Sequence, residues 1–121
     1  MKTVNIILDK SFQFGLRIVK LFMHLRKIKV ERDLCTQFLR SGTSIGANIE
    51  EAIGGSSRKD FKAKLDISYR EARETKYWLR LLKDTNFIES NLYSSLLADC
   101  EELLKILTAI IKTLKQQTPN S

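Results

Sequence analysis

The sequence predicts an all-α chain, folded as an antiparallel up-down-up-down four-helix bundle, on three observations. Turn chemistry is nearly absent: 121 residues contain one proline, Pro119, and five glycines, whereas a β-rich fold of this length needs frequent turn residues. Apolar residues recur three and four apart over four long stretches, the period of an amphipathic helix. The interruptions between those stretches are short, and short connections make successive helices antiparallel neighbours. One domain over residues 1–116 follows, with 117–121 as a polar tail.

Helix 1 is expected over about Ile6 to Lys29. Leu8, Phe12, Leu16, Val19 and Met23 form one apolar row, and Phe14, Ile18, Leu21, Leu25 and Ile28 form a second on a neighbouring face. Together they exceed what one bundle core uses, so a second chain or a deeply sunken helix is implied. Phe14, Ile18 and Leu21, with Trp78 of helix 3, are assigned to that contact. The polar side carries Lys10, Gln13, Arg17, Lys20, His24 and Lys27 in one row. Like charges at i,i+4 repel, so the row reads either as a solvated face or as a track for phosphates.

Helix 2, about Glu31 to Ile53, points Leu34, Phe38, Ile45, Ile49 and Ala52 inward. Gly42 lies in that row, with Ser41, Ser44, Gly46 and Ala47 around it. A helical glycine costs about 0.5–1 kcal/mol relative to alanine, and close approach of another helix is the usual compensation. The small residues Ser68, Ala72 and Thr75 of helix 3 are the expected partners. Gly54 and Gly55 end the helix, and Ser57 with Asp60 resembles a capping box that starts helix 3.

Helix 3, about Arg58 to Asp84, has the cleanest seam: Phe61, Leu65, Ser68, Ala72, Thr75, Leu79 and Leu82. Its polar side holds Lys62, Asp66, Tyr69, Arg73, Lys76, Arg80 and Lys83. Asp60–Lys64, Asp66–Arg70 and Arg70–Glu74 are candidate i,i+4 pairs supporting a solvated face. After a turn at 86–89, helix 4 runs from about Ser90 to Lys115, with Leu92, Leu96, Cys100, Leu103, Leu107, Ile110 and Leu114 inward.

Composition narrows the function classes. Hydrophobic residues make up 43% and charged residues 29%, a globular profile without the roughly 20 consecutive apolar residues of a membrane span. MKTVNIILDK is interrupted by Asp9 and Lys10 before a signal peptide could form, so a cytoplasmic location without membrane association is expected. Net charge is +7, concentrated in residues 1–30, where seven Lys/Arg face Asp9 alone, and in 54–85, where nine face five acids. An anionic partner such as nucleic acid fits that distribution.

Catalytic chemistry is missing from the pattern. The one histidine, His24, lies in the polar row of helix 1, and no nucleophile–base–acid set can be assembled around it. Glu-x-x-His pairs for a dimetal bundle do not occur. Cys35 and Cys100 sit in apolar patterns and behave as small buried hydrophobes rather than as a disulfide or zinc site. Neither cofactor nor metal is expected. One of the adjacent acids Glu50 and Glu51 is expected to turn inward toward an arginine or a backbone donor.

The stretch SIGANIEEAIGGSSRKDF resembles the signature of the four-helix-bundle family encoded by intervening sequences in bacterial large-subunit ribosomal RNA genes. That signature reads S-I-x-x-N-I-x-E-G-x-G-R-x-S followed by an acid and Phe. Ser44, Ile45, Asn48, Ile49, Glu51, Gly54, Ser57, Asp60 and Phe61 match it, while Ala52 replaces Gly and Gly55 replaces Arg. Similar bundles serve as accessory proteins of diversity-generating retroelements, as homopentamers that bind nucleic acid and contact a reverse transcriptase. The resemblance therefore implies the fold, a homo-oligomer with a pentamer favoured, association with RNA or DNA, and a reverse transcriptase or other protein as partner. Gly42, Ser44, Asn48, Glu51, Gly54 and Ser57 are read as structural, with a buried Asn48 amide fixing register between helices. Lys10, Arg17, Lys20, Lys27, Lys62, Arg73, Lys76, Arg80 and Lys83 are the phosphate-binding candidates. A scaffold that binds another protein through the surplus apolar surface is the alternative.

Overall fold

The computed structural model describes residues 2–117, and nearly all of them lie in four helices: α1 (Lys2–Lys27), α2 (Arg32–Ile53), α3 (Arg58–Asp84) and α4 (Ser90–Gln117). Each helix packs on its sequence neighbours and α1 packs on α4, closing an up-down-up-down bundle. The α3 limits coincide with those read from sequence. α1 begins four residues earlier and stops two earlier, and α4 continues through Gln117 of the expected tail, whose remainder lies outside the described residues.

Local chemistry sets the helix ends. Glu31 accepts a hydrogen bond from the Leu34 amide at 2.8 Å and so caps α2; Ser57 Oγ accepts from the Asp60 amide at 3.0 Å and caps α3. Lys29 and Asn86 take the left-handed conformation, at φ 65° and 66°. Behind α1, the Val30 amide donates to Leu25 O and the Lys29 amide to Arg26 O. Behind α3, Phe87 donates to Leu82 O and Asn86 to Lys83 O. Both ends are Schellman motifs, with Leu25 and Val30, or Leu82 and Ile88, buried beside them. Gly54 also caps, but at φ −82°, so the Gly-Gly turn does not draw on glycine's left-handed freedom.

The core runs the length of the bundle. From α1 it takes Ile7, Phe14, Ile18, Leu21 and Leu25; from α2 Cys35, Phe38, Ile45 and Ile49; from α3 Leu65, Ala72, Leu79 and Leu82. Leu96, Cys100, Leu103 and Leu107 complete it from α4. Of the two apolar rows of α1, the one through Phe14, Ile18 and Leu21 is therefore core, which corrects their assignment to a second chain. Surplus apolar surface exists, but it is the other row: Phe12 is 61%, Leu16 43%, Val19 39% and Met23 65% exposed.

Small residues mediate close approach, on two sides of α2. A Cβ added to Gly42 would meet Ile18 side-chain carbons at 2.7, 2.8 and 2.9 Å, and one added to Gly46 would lie 3.3 Å from Ser11 O and Oγ. The glycines therefore face α1 rather than α3. The serine side of α2 faces α3, as the small residues there require: Ser68 Oγ donates to Ile45 O at 2.9 Å, and Thr75 Oγ1 donates to Ser41 Oγ at 3.1 Å. Those bonds tie α2 to α3 in register. Asn48 is only half-buried, and its Nδ2 donates to Ser44 O at 2.8 Å within its own helix, so it does not bridge helices. No buried side-chain polar atom among the described residues lacks a partner.

Both cysteines are free and buried. Burial pushes the Cys100 thiol up to about 12, and its Sγ lies 3.3 Å from Ala72 O. Among the described residues, no cluster of His, Cys, Asp or Glu is arranged to hold a metal ion. No described helix is long and apolar enough to cross a membrane.

Candidate nucleic-acid interface

The nine basic candidates fall into two groups once their surroundings are known. Lys10 Nζ lies 3.1 Å from Glu102 Oε1, and Arg17 Nη1 lies 2.7 Å from Asp99 Oδ2. The basic row of α1 is thus met by acids of α4, where the two helices pack side by side. On α3, Lys62 pairs with Asp66 at 2.9 Å, and Arg80 and Lys83 share Asp84 at 4.0 and 3.7 Å. Lys83 also stands over the Tyr93 ring, 5.3 Å from its centroid.

Lys20, Lys27, Arg73 and Lys76 have no ion-pair partner among the described residues. They occupy the C-terminal halves of α1 and α3, which the up-down-up topology places at the same end of the bundle. His24 and Arg26 fall in the same last turn of α1 as Lys27, where cations also complement the helix dipole. Of the nine candidates, the unpaired ones therefore lie toward one end, while the first half of the α1 row, Lys10 and Arg17, is met by acids. Those neutralising pairs are partly exposed and worth about 0–1 kcal/mol each. Separating Lys10 or Arg17 from its acid therefore costs little.

The α2–α3 face works differently. Arg40 binds Glu71 at 2.7 Å and also contacts Glu74, and Glu74 accepts from Trp78 Nε1 at 3.0 Å. Glu71 and Glu74 thus cross to α2. The i,i+4 pair expected between Arg70 and Glu74 is replaced by this network, and Lys64 reaches Glu51 at 3.0 Å rather than Asp60. Glu50 and Glu51 are both exposed, so neither turns inward, and Glu51 takes a lysine across the helix junction. The Glu51–Lys64 pair, the Gly54 turn and the Ser57 cap give the distinctive stretch a structural account. Gly55 packs so closely on the Asp60 carboxylate that any Cβ there requires Asp60 to move, which suits a glycine where the family signature has arginine.

The exposed α1 row borders a groove of about 360 Å³ between α1 and α2, walled by Leu8, Phe12, Leu16 and Val19, with Gly15 and Gly46 beneath. A Cβ on Gly15 would meet nothing within 4 Å. Intramolecular packing therefore explains Gly42 and Gly46 but not Gly15. The sequence contained the signal for this groove, since both apolar rows of α1 are visible in it. Which row lay outside was not visible.

An all-helical bundle with an apolar groove between α1 and α2 and charged outer faces defines the class. The profile of the 23S rRNA-intervening sequence protein family matches residues 4–109, and the chain belongs to that family. Among solved structures, it is similar to a protein of unknown function from the S23 ribosomal protein family of Bacteroides thetaiotaomicron. Identity is 47%, the TM-score is 0.88, and the match covers 91% of this chain and 98% of the other. No curated protein matches the sequence.

Proposed function

We propose that this chain is a non-enzymatic bundle that assembles with copies of itself, five in the arrangement the resemblance favours, and binds RNA or DNA phosphates in the cytoplasm. The observation that carries the reading is the exposed row Phe12, Leu16, Val19 and Met23 beside the unpaired cations Lys20 and Lys27. Such a row costs free energy in water unless covered, because apolar burial is worth about 25 cal/mol per Å². Covering it with further copies multiplies the free basic groups along one assembly, and weak single-chain phosphate contacts then add by multivalency. Counterion release makes such binding salt-dependent and nearly blind to base sequence. A nucleic-acid enzyme, a reverse transcriptase among them, is the protein partner suited to this role. The family name, which ties its members to a segment interrupting 23S rRNA, supports RNA as the first ligand to try.

Light scattering joined to mobility shift over a salt series tests both parts. The expected result is an oligomer at micromolar concentration, reduced to monomer by Phe12→Ser with Met23→Ser, and a shift of RNA or DNA at low salt that fades as salt rises. A wild-type monomer would remove self-assembly, and no shift at low salt would remove nucleic-acid binding. The second reading, a scaffold for a different protein, rests on the same α1–α2 groove; it expects monomers and no shift.

A further inference from the structure

We infer that the groove between α3 and α4 is a subsite for one nucleotide of single-stranded RNA or DNA, an inference that rests on the phosphate-binding reading above. The groove encloses about 350 Å³ and is lined by Asp66, Tyr69, Thr108, Ile111, Lys112 and Lys115. That size falls in the roughly 300–1,000 Å³ range of small-ligand clefts. It is distinct from the end that carries Lys27, and Lys112 and Lys115 belong to neither of the basic rows read from sequence.

Three features of this groove suit a nucleotide. Lys112 and Lys115 are three residues apart on one helix face and have no ion-pair partner among the described residues. Adjacent like charges of this kind repel, and a phosphate between them relieves the repulsion. The C-terminal end of α4 favours a cation, which accounts for Lys115 alone but not for a paired arrangement facing a groove. Next, Tyr69 is half-buried, and its hydroxyl has no hydrogen-bond partner among the described residues. With Ile111 it forms an apolar wall of the kind on which a base packs, and the open hydroxyl offers a donor at its edge. Last, the lining also carries acceptors, Asp66 from α3 and Thr108 from α4. Asp66 is held by Lys62 at 2.9 Å, which offsets its charge toward an incoming phosphate. The Thr108 hydroxyl donates to Leu104 O at 2.7 Å and so presents only lone pairs to the groove. Ribose hydroxyls and base amino groups are the donors these acceptors take.

Placement makes the site compatible with assembly. The helices contact in the order α1, α2, α3, α4 around the bundle, with α4 returning to α1. The α3–α4 groove is therefore on the opposite face from the α1–α2 groove assigned to self-association. A base held against Tyr69 must be unstacked from a duplex, so single strands are the preferred form.

Fluorescence anisotropy with labelled oligouridylate and with a duplex of equal length, each over a salt series, tests this on the full chain. The expected result for Lys112→Ala with Lys115→Ala is a single-strand salt slope smaller by about two phosphate contacts, with duplex binding retained. Tyr69→Ala should lose roughly ten-fold or more in single-strand affinity, and Tyr69→Phe should retain most of it. Circular dichroism checks the fold of each variant; the exposed lysine pair carries the test if Tyr69→Ala does not fold. Wild-type binding that neither variant alters, or equal losses for single strand and duplex, would overturn the subsite while leaving phosphate binding standing. A wild type that binds neither probe at low salt would overturn both.

Discussion

Three helical glycines in different surroundings let the α1–α2 contact be measured. Replacing a mid-helix glycine by alanine gains about 0.5–1 kcal/mol from propensity where space is open. Gly15 is such a position, since a methyl group added there has nothing within 4 Å of it. Gly42 is the opposite case: the new methyl would lie 2.7–2.9 Å from three carbons of Ile18, a side chain with no exposed surface. The γ carbons of Ile18 are fixed to its Cβ and cannot swing away as a long chain end does, so the backbones must part. Overpacking of this kind costs about 1–3 kcal/mol, which outweighs the propensity gain and leaves a net loss of about 1 kcal/mol. Gly46 falls between them, with Ser11 O and Oγ at 3.3 Å. The expected order of stability is Gly15→Ala above wild type, Gly46→Ala near it, and Gly42→Ala below it. Urea unfolding followed by circular dichroism at one fixed protein concentration reads this as shifts in midpoint at constant slope. Adding Ile18→Ala removes the clashing carbons, so the pair should be coupled by more than the roughly 0.5 kcal/mol seen for independent sites. A Gly42→Ala variant as stabilised as Gly15→Ala would refute the close approach of α1 and α2.

Two further outcomes follow from the helix ends. Lys29 has φ 65°, a conformation costing an L-residue roughly 1–2 kcal/mol. In the same urea assay, Lys29→Gly should therefore raise stability by up to about 1 kcal/mol, whereas Asn86→Gly should change little because asparagine tolerates this region. Glu31 titrates below the usual carboxylate value because its side chain accepts the Leu34 amide and then the Asp33 amide. A carboxylate depressed in the folded state adds stability above its unfolded value of 4.5, and that stability is lost as pH falls through the lower folded value. The stability difference between wild type and Glu31→Ala should be largest at neutral pH and shrink in acid; a difference independent of pH would count against the cap.

Much of this architecture could be read locally. The α3 seam, the Ser57 cap, the burial of both cysteines and the existence of four helices follow from period and end chemistry, which depend on residues within a turn or two. The resemblance at the α2–α3 junction also led to the correct family. The candidate interface was less legible. Lys10 and Arg17 belong to the first half of a basic track in the sequence, yet Glu102 and Asp99, more than 80 residues away for Arg17, face them across the α1–α4 contact. Of the nine candidates, those left without acids among the described residues are Lys20, Lys27, Arg73 and Lys76.

By itself, then, the amino-acid order settled that helices form, where most of them stop, and which residues are able to line a core. Only the tertiary structure decided which of the two apolar rows of α1 was buried, which helix the glycines of α2 approached, and which basic groups faced an acid. The physical reason is rotation. A helical period records which residues share a face, but the angle at which that face turns toward a neighbour is set by packing among all four helices. Rotating α1 by one row exchanges Phe14, Ile18 and Leu21 for Phe12, Leu16 and Val19 without altering any local signal. The contact of Ile18 with Gly42 resolves that choice.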